Sequence, residues 1–294
     1  MEIDDIKETI GFRLRLQIRL ETLGTNEVCL TTRLAGREVT IRSRQDGQPI
    51  SKAKWIVLGA RGFATEPEAR AFGERLRANV QLAALCSQLG ADTGLDKVLS
   101  WINEDWWRSM GRLAPHQRSA PDVHGLSILP DDDNTLIPYS EPQVTKTSNP
   151  DLFLDALHEL AEQPSITEPK VTIAVQLLNL ARINPQPLAR IVLAFSAVET
   201  VAQVENRRQR ISVRQRVKRV LCRNSLSHLH EEWGRLYDLR SHLFHGSKQL
   251  AEQEVNSLAN DALNLCSRII LAIIKRNGVK LPPLPTKISG VSDV

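Results

Sequence analysis

The chain has 294 residues, of which 38 are basic and 34 acidic, and its formal net charge of +4 does not by itself indicate a nucleic-acid-binding protein. Its length predicts two domains, and its hydrophobic fraction of 41% excludes wholesale disorder. The four cysteines (Cys29, Cys86, Cys222 and Cys266) lie far apart and form no C-x-x-C pair, which excludes a zinc ribbon and disfavours a disulfide scaffold.

The sequence shows neither a signal peptide nor a membrane span. Residues 1–7 are acidic and lack an apolar core. No run reaches the roughly 18 consecutive apolar residues that a spanning helix needs. The most apolar stretch, residues 263–274, is interrupted by Asn264, Ser267 and Arg268. We therefore expect a cytoplasmic protein with reduced cysteines and no membrane association.

Residues 1–95 have the pattern of a small antiparallel sheet with one packed helix. Apolar residues alternate with arginine and glutamine over residues 12–20, which is typical of a half-buried strand. The continuous apolar run at residues 55–60 predicts a more central strand. A helix is expected to begin at Thr65, because Thr65 and Glu68 have the spacing of a capping box, and to end at Gly90.

One face of this predicted sheet is rich in arginine. The strands place there Arg13, Arg15 and Arg19, with Arg33, Arg37 or Arg42 as further members. An RNA-binding platform would have such a face, but it would also need aromatic residues for base stacking, and Trp55 is the one nearby. The pattern favours the alternative, a solvated outer face whose arginines pair with Glu21, Glu27 and Glu38.

The rest of the chain separates into a linker, a helical bundle and a tail. Residues 96–150 contain six prolines and predict an irregular linker with one short helix. Residues 151–280 predict an all-α bundle. Its candidate helices cover residues 151–162, 168–183, 187–206, 211–223, 228–245 and 249–276. Residues 281–294 are expected to be extended or disordered. The predicted fold class is therefore α+β.

The most informative segment lies at the end of one predicted bundle helix. Ser241 and His245 are four residues apart and share a helix face. Arg240 lies about 140° from His245 on an ideal helix, so the two side chains converge only if the helix loosens before it ends at Gly246. A guanidinium beside an imidazole suits a phosphodiester, because one binds the oxyanion and the other moves the proton. The alternative is a structural pair at the helix C-terminus, where cations are favoured.

This segment resembles the HEPN superfamily. The arrangement of Arg240, four intervening residues and His245 matches the arginine–x4–6–histidine signature of HEPN domains, and the flanking residues 236–246 are similar to the ApeA-like branch. Residues 191–199 are similar to that branch's apolar helix ending in alanine–x–glutamate. The resemblance covers about residues 168–276, and residues 62–69 are similar to the region often joined to ApeA-like domains.

The resemblance implies a HEPN-type helical bundle that acts as a metal-independent endoribonuclease. It implies no cofactor, a homodimer formed through the bundle, and a role as a toxin or antiphage effector with an antitoxin or defence-system partner. If the roles known in the family are assigned to the matching positions of this chain, His245 is the acid/base, Arg240 is the phosphate ligand and Ser241 is the third catalytic candidate. The group that attacks the phosphorus is then the RNA's own 2′-hydroxyl. Active members often have asparagine, aspartate or histidine in place of Ser241, so the alternative is a non-catalytic HEPN interaction or scaffold module that binds RNA or a protein.

Two further residues are expected to support the site. Glu199 lies on an apolar helix stripe, and a buried carboxylate needs a partner. Arg240 is one candidate partner, and the alternatives are a surface position or a pair with Arg190 or Arg207. His242, next to the motif serine, is the second supporting candidate.

A strongly basic stretch precedes the motif. Residues 207–223 carry eight basic side chains, and the net charge is −1 over residues 1–149 but +5 over residues 150–294. This stretch can bind RNA phosphates in a salt-dependent way. The predicted RNA-binding residues are Arg207, Arg208, Arg210, Arg214, Arg216, Lys218 and Arg219. The alternative is a basic face neutralised by Glu205, Glu231 and Glu232 or by a partner chain. No acidic cluster at metal-ligand spacing appears in the helical half, so no metal is expected.

Overall fold

The computed structural model describes residues 11–20, 23, 25–94, 125–131, 152–163, 166, 168–202, 212–245 and 251–281. The chain divides into two compact units, one containing Met1–Arg77 with Thr93–Asp151 and the other Ala78–Asp92 with Leu152–Val294. The first contains an antiparallel sheet and the second is mostly helical, so the α+β prediction is confirmed. The predicted boundaries at residues 95, 150 and 280 stay predictions, and the predicted tail beyond residue 281 lies outside the described residues.

The described residues of the first unit form five antiparallel strands. Their bounds are β1 Gly11–Leu20, β2 Cys29–Leu34, β3 Arg37–Ser43, β4 Trp55–Phe63 and β6 Gly125–Asp131. They pair in the order β2–β3–β4–β1–β6. The predicted alternation over residues 12–20 is only partly confirmed: Leu14, Leu16 and Ile18 are buried on one face of the sheet, but Arg13 and Gln17 on the other face are buried as well.

Helix α1 (Glu66–Cys86) begins on that apolar face. Its predicted capping threonine is present, since the Glu68 N–H donates to Thr65 Oγ1 over 3.3 Å. A Cβ at Gly73 would lie 2.5 Å from a methyl carbon of Leu126, whose neighbour in register is Leu16. The glycine therefore allows the helix backbone to approach the sheet closely.

The expectation that α1 ends at Gly90 was wrong. The helix ends at Cys86, and Gln88 then adopts a left-handed φ of 58°. A Cβ at Gly90 would lie 2.4 Å from Ile183 Cγ2. Gly90 is therefore required for close packing against the helix that carries Ile183, and it does not serve as a cap.

Strand β6 corrects the prediction that residues 96–150 form an irregular linker. Leu14 of β1 pairs with Ile128, and Leu16 pairs with Leu126. The proline at position 130 disguised the strand, because proline is tolerated within a sheet mainly on edge strands or at strand ends. The rest of the predicted linker lies outside the described residues.

Within the described residues, the second unit contains the short strand β5 (Ala91–Asp92), the last turns of α1 and six further α-helices. These are α2 Leu152–Ala161, α3 Pro169–Ile183, α4 Pro187–Val201, α5 Val213–Arg223, α6 His230–Phe244 and α7 Glu252–Arg276. Prolines begin α3 and α4, as the first turn of a helix allows. The helices therefore follow the predicted candidates closely.

Helix α7 provides much of the core of this unit. Its residues Leu263, Cys266 and Ile270 are buried together with Phe195 of α4 and Trp233 of α6. Among the described residues α7 is also the one helix long and apolar enough to cross a membrane, but 67% of its apolar window is buried inside the protein. Such extensive burial is typical of a helix in the core of a folded unit.

Candidate active site

Three aromatic rings from α4 and α6 surround the start of the predicted motif. Trp233 and Tyr237 are four residues apart on α6 and stack with ring centroids 4.6 Å apart. Phe195 of α4 lies edge-on to both, at 6.0 Å from Trp233 and 5.7 Å from Tyr237. Since Trp233 and Phe195 are fully buried, this cluster fixes the position of α6 against α4.

The Arg240 guanidinium lies beside this cluster and faces Glu199. Its central carbon is 5.3 Å from the Tyr237 ring and 5.6 Å from the Phe195 ring. Its Nη1 donates to Glu199 Oε1 over 3.3 Å, and the two side chains are 23% and 27% exposed. Among the partners that the sequence left open for Glu199, the structure shows Arg240.

The sequence also allowed Glu199 to pair with Arg190 or Arg207, or to lie at the surface. Arg190 donates to Asn260 Oδ1 over 2.8 Å, and Arg207 lies outside the described residues. Glu199 itself is only partly exposed, so it is not a simple surface carboxylate. Its bond to Arg240 holds Nη1 of the guanidinium, while Nε of that group is buried without a hydrogen-bond partner among the described residues.

Cys266 lies close enough to the pair to interact with both charges, a feature that the sequence analysis missed. Burial raises the pKa of its thiol, Glu199 raises that pKa further and Arg240 opposes the change. The side chain is fully buried, so the thiol stays protonated and behaves as an apolar group. A lone cysteine in an apolar stripe gives no sequence signal that could have placed it here.

The sequence made convergence of Arg240 and His245 depend on a loosening of α6 near His245, and the structure ends the helix directly before that residue, which is its C-cap. The helix extends regularly to Phe244, and the His245 N–H still donates to the Ser241 carbonyl over 3.0 Å. On an ideal helix, side chains five residues apart point about 140° apart, and His245 is the first residue after the regular turns, with φ −89° and ψ 2°. Ser241 and His245 share a face as predicted, and His245 is exposed at the C-cap.

The end of α6 presents a mixed exposed surface. His242 and His245 are exposed, and the large apolar side chain of Phe244 is 48% exposed between them. Ser241 is partly buried. One chain therefore presents its histidines to the outside of the helix end and its arginine to the α4 side.

Helix α5 carries the described part of the basic stretch. Val217 and Leu221 are buried, whereas Lys218, Arg219 and Arg223 are exposed. Arg214 forms two 3.1 Å bonds to the Asp238 carboxylate on α6. Arg216, Lys218 and Arg219 form no ion pair within the described part of the chain. The other three predicted RNA-binding residues, Arg207, Arg208 and Arg210, lie outside it.

The described side chains include no metal-binding cluster. Within these ranges no group of three or more histidine, cysteine, aspartate or glutamate residues is arranged to hold a metal ion. The chemistry that the described site offers is that of an arginine, a carboxylate and an exposed imidazole.

No protein-family model, curated protein or solved structure matches this chain. Fold and site together define an α+β protein whose helical unit carries an arginine–glutamate pair beside a basic helix.

Proposed function

We propose that this protein is a metal-independent endoribonuclease of the HEPN type. The observation that carries the proposal is the position of Arg240. It is held by Glu199 and two aromatic rings yet remains 23% exposed, five residues before an exposed histidine at the helix end. RNA cleavage by its own 2′-hydroxyl needs proton transfer and stabilisation of the developing charge, which an imidazole and a positioned guanidinium can provide.

The reaction follows from the roles of these groups. The 2′-oxygen attacks the adjacent phosphorus and the bond to the 5′-oxygen breaks, which leaves a 2′,3′-cyclic phosphate and a 5′-hydroxyl. Neutral His245 accepts the 2′-hydroxyl proton, and the imidazolium so formed donates a proton to the leaving 5′-oxygen. Arg240 stabilises the charge that develops on the phosphorane oxygens, and Ser241 can donate to a phosphate oxygen.

The divergence of Arg240 and His245 favours a site formed by two copies of the chain. On an ideal helix, side chains five residues apart leave about 140° apart, and a second copy facing the first would place Arg240 of one chain and His245 of the other at one phosphate. The exposed Phe244 beside the histidines provides an apolar contact for a second copy. We therefore propose a homodimer through the helical unit, in which the ends of the two α6 helices face each other.

Helix α5 is the proposed RNA-binding element of this unit. Arg216, Lys218 and Arg219 project from a helix whose apolar side is buried, and the described residues offer them no ion pair. Such a face binds the RNA backbone without reading its sequence. A cytoplasmic toxin or antiphage effector, controlled by an antitoxin or a defence-system partner, is the biological role that this activity fits.

One observation favours a different function, a non-catalytic HEPN interaction module. Arg240 already has a carboxylate and two aromatic rings as partners, which is also how a purely structural arginine is held. The serine at position 241 agrees with that alternative. Such a module would bind RNA or a protein partner without cleaving RNA.

RNA cleavage in the presence of EDTA distinguishes the two functions. Purified protein is incubated with total RNA, and the rates of the wild type, Arg240→Ala, His245→Ala and His228→Ala are compared. His228 is an exposed histidine before α6 and serves as the control. We expect wild-type and His228→Ala cleavage to be equal, and the other two variants to lose about 100-fold or more. Absence of cleavage by the wild type, or full cleavage by His245→Ala, would contradict the nuclease proposal.

A further inference from the structure

Two helices of the helical unit end close together, and both ends carry exposed cations. Arg219 and Arg223 lie near the end of α5, and Lys275 and Arg276 are the last residues of α7. These four residues are here called the basic corner. The Arg276 Nη1 donates to Ser225 Oγ over 2.6 Å, and Ser225 comes two residues after α5 ends. This bond places the charge at the end of α7 beside the end of α5.

The positive charges of the basic corner are not neutralised within the part of the chain that the structure describes. None of its four residues forms an ion pair there, and all four are exposed. Of the acids that the sequence offered for this role, Glu232 binds Arg268 over 3.8 Å. A cation is favoured at the C-terminal end of its own helix by the helix dipole. Two such ends side by side nevertheless repel each other, and a bound anion would relieve that repulsion.

Ser225 adopts a backbone conformation that favours glycine. Its φ is 57°, in a turn where the Ser225 N–H donates to the Cys222 carbonyl over 3.1 Å and the Leu226 N–H donates to the Leu221 carbonyl over 2.8 Å. Glycine is the usual residue at this position of such a helix end, because a side chain there costs free energy. The serine supplies what glycine would lack, a hydroxyl that accepts the bond from Arg276. A strained residue that holds a charged group in place is typical of a functional site.

We propose that the basic corner binds the phosphate backbone of RNA, with Ser225 holding Arg276 in position for a phosphate oxygen. Guanidinium groups bind phosphate through paired hydrogen bonds, and a lysine ammonium adds a point charge. Arg216, Arg219 and Arg223 are three and four residues apart and share one side of α5, so the corner continues the basic face of that helix. The RNA therefore extends from α5 to the end of α7. The choice of RNA as the anion rests on the proposed function, whereas the anion site itself rests on the corner.

Binding of a 2′-O-methyl RNA by the full-length wild-type protein tests the proposal. The fluorescent probe of about 20 nucleotides keeps the phosphates but lacks the attacking hydroxyl, so it stays intact, and it is titrated at several salt concentrations. Lys275→Gln with Arg276→Gln is compared with Lys52→Gln with Lys54→Gln, which removes two exposed charges from the first unit. We expect the α7 pair to weaken binding about 10-fold or more and to reduce the salt slope by about 1.4, and the control pair to have less than about a 2-fold effect. Equal weakening by the two pairs, or no binding by the wild type, would overturn the proposal.

The variant Ser225→Gly separates the hydroxyl from the backbone conformation. Glycine tolerates a φ of 57°, so the melting temperature should stay the same or rise. Loss of the hydroxyl releases Arg276 and should weaken RNA binding about 2-fold to 3-fold. Ser227→Ala removes a nearby exposed hydroxyl that bonds to Cys222 Sγ, and it should leave binding unchanged. Normal binding by Ser225→Gly, or an equal loss in Ser227→Ala, would overturn the role of Ser225 in the corner.

Two further readouts separate this inference from the nuclease proposal and from other ligands. If the wild type does not cleave RNA but the α7 pair still weakens binding, the nuclease proposal fails and the corner proposal stands. If the wild type cleaves RNA but the α7 pair binds normally, only the corner proposal fails. Polyglutamate binding as tightly as RNA of equal charge would overturn RNA as the ligand in favour of an acidic protein segment.

Discussion

The Arg240 guanidinium has two kinds of partner that impose different constraints. The faces of Phe195 and Tyr237 restrict its plane, while Glu199 restricts the direction of one edge through a single 3.3 Å contact. A partly exposed ion pair of this length contributes little to folding, typically less than about 1 kcal/mol. Its main effect is therefore to orient the guanidinium, and that effect can be measured separately from stability.

The variant Glu199→Gln tests this positioning role. We expect RNA cleavage to fall about 10-fold, because the guanidinium loses its orienting charge, and the free energy of unfolding to fall by less than about 1 kcal/mol. Glu159→Gln, at an exposed position on α2, should change neither quantity. Cleavage rates in EDTA and urea unfolding curves provide the two measurements. A large loss of stability with normal cleavage would assign Glu199 a structural role only.

The four cysteines are expected to differ in reactivity because of their burial. Burial raises the pKa of Cys86 to about 12, so about one thiol in ten thousand is ionised at pH 8. The Cys266 thiol is fully buried and its pKa is also raised. Cys222 is exposed. A thiol reagent at pH 8 followed by peptide mass spectrometry should label Cys222 in the folded protein, and Cys86 and Cys266 only after unfolding.

At the scale of elements, Asn179 on α3 links three segments of the helical unit. Its side-chain oxygen accepts the Ala91 N–H of β5 over 3.0 Å. Its side-chain nitrogen donates to the carbonyls of Gln81 on α1 and Val175 on α3, over 3.0 and 2.9 Å. The residue is 1% exposed, so water does not replace these bonds in the folded protein.

The variant Asn179→Leu is therefore expected to lower the free energy of unfolding by about 1 to 3 kcal/mol. It leaves the Ala91 N–H buried without this partner, and an unsatisfied buried group costs about 1 to 3 kcal/mol, whereas the Gln81 carbonyl lies within α1 and keeps its helical position as an acceptor. Asn256→Ala removes an amide that bonds only within the first turns of α7 and should cost less than about 1 kcal/mol. Chemical denaturation of the two variants checks the difference, and equal losses would contradict the linking role.

The helices were predictable because their apolar periodicity and their breaks are local in the sequence. Prolines 169 and 187 mark the starts of α3 and α4 within one residue. Strand β6 was not predictable, because its partner β1 lies more than a hundred residues earlier and its own pattern is short. Gly90 was misjudged for a related reason, since its contact with Ile183 is visible only in the folded chain.

The candidate site, like the fold, contains one feature that the sequence indicated and one that it did not. The contact between Glu199 and Arg240 followed from a carboxylate on an apolar stripe that needed a partner. The direction of His245 did not follow, because it depends on whether the last turn of α6 keeps its hydrogen bonds, and the sequence offered Gly246 as a reason for it to loosen. The backbone bond from His245 to Ser241 shows that the regular turn is kept.

At the scale of the whole molecule, the proposed dimer has a direct physical test. One chain has a mass of 32.9 kDa. We expect light scattering during gel filtration to give twice that mass, and Phe244→Glu to give the monomer mass because it places a charge at the contact. Leu188→Glu, which alters an equally exposed apolar residue on α4, serves as the control and should remain dimeric. A monomeric wild type would contradict the dimer.

A mixing experiment tests whether two copies share one catalytic site. Arg240→Ala and His245→Ala are each expected to be inactive alone, because each lacks one of the two groups that act on the phosphate. When the two variants are unfolded together and refolded, about half of the dimers contain one copy of each. If Arg240 of one copy acts with His245 of the other, these mixed dimers have one intact site and cleavage in EDTA returns to roughly a quarter of the wild-type rate. If both groups act within one chain, mixing restores nothing, and the 140° divergence on α6 would have to be resolved by a conformational change at the helix end.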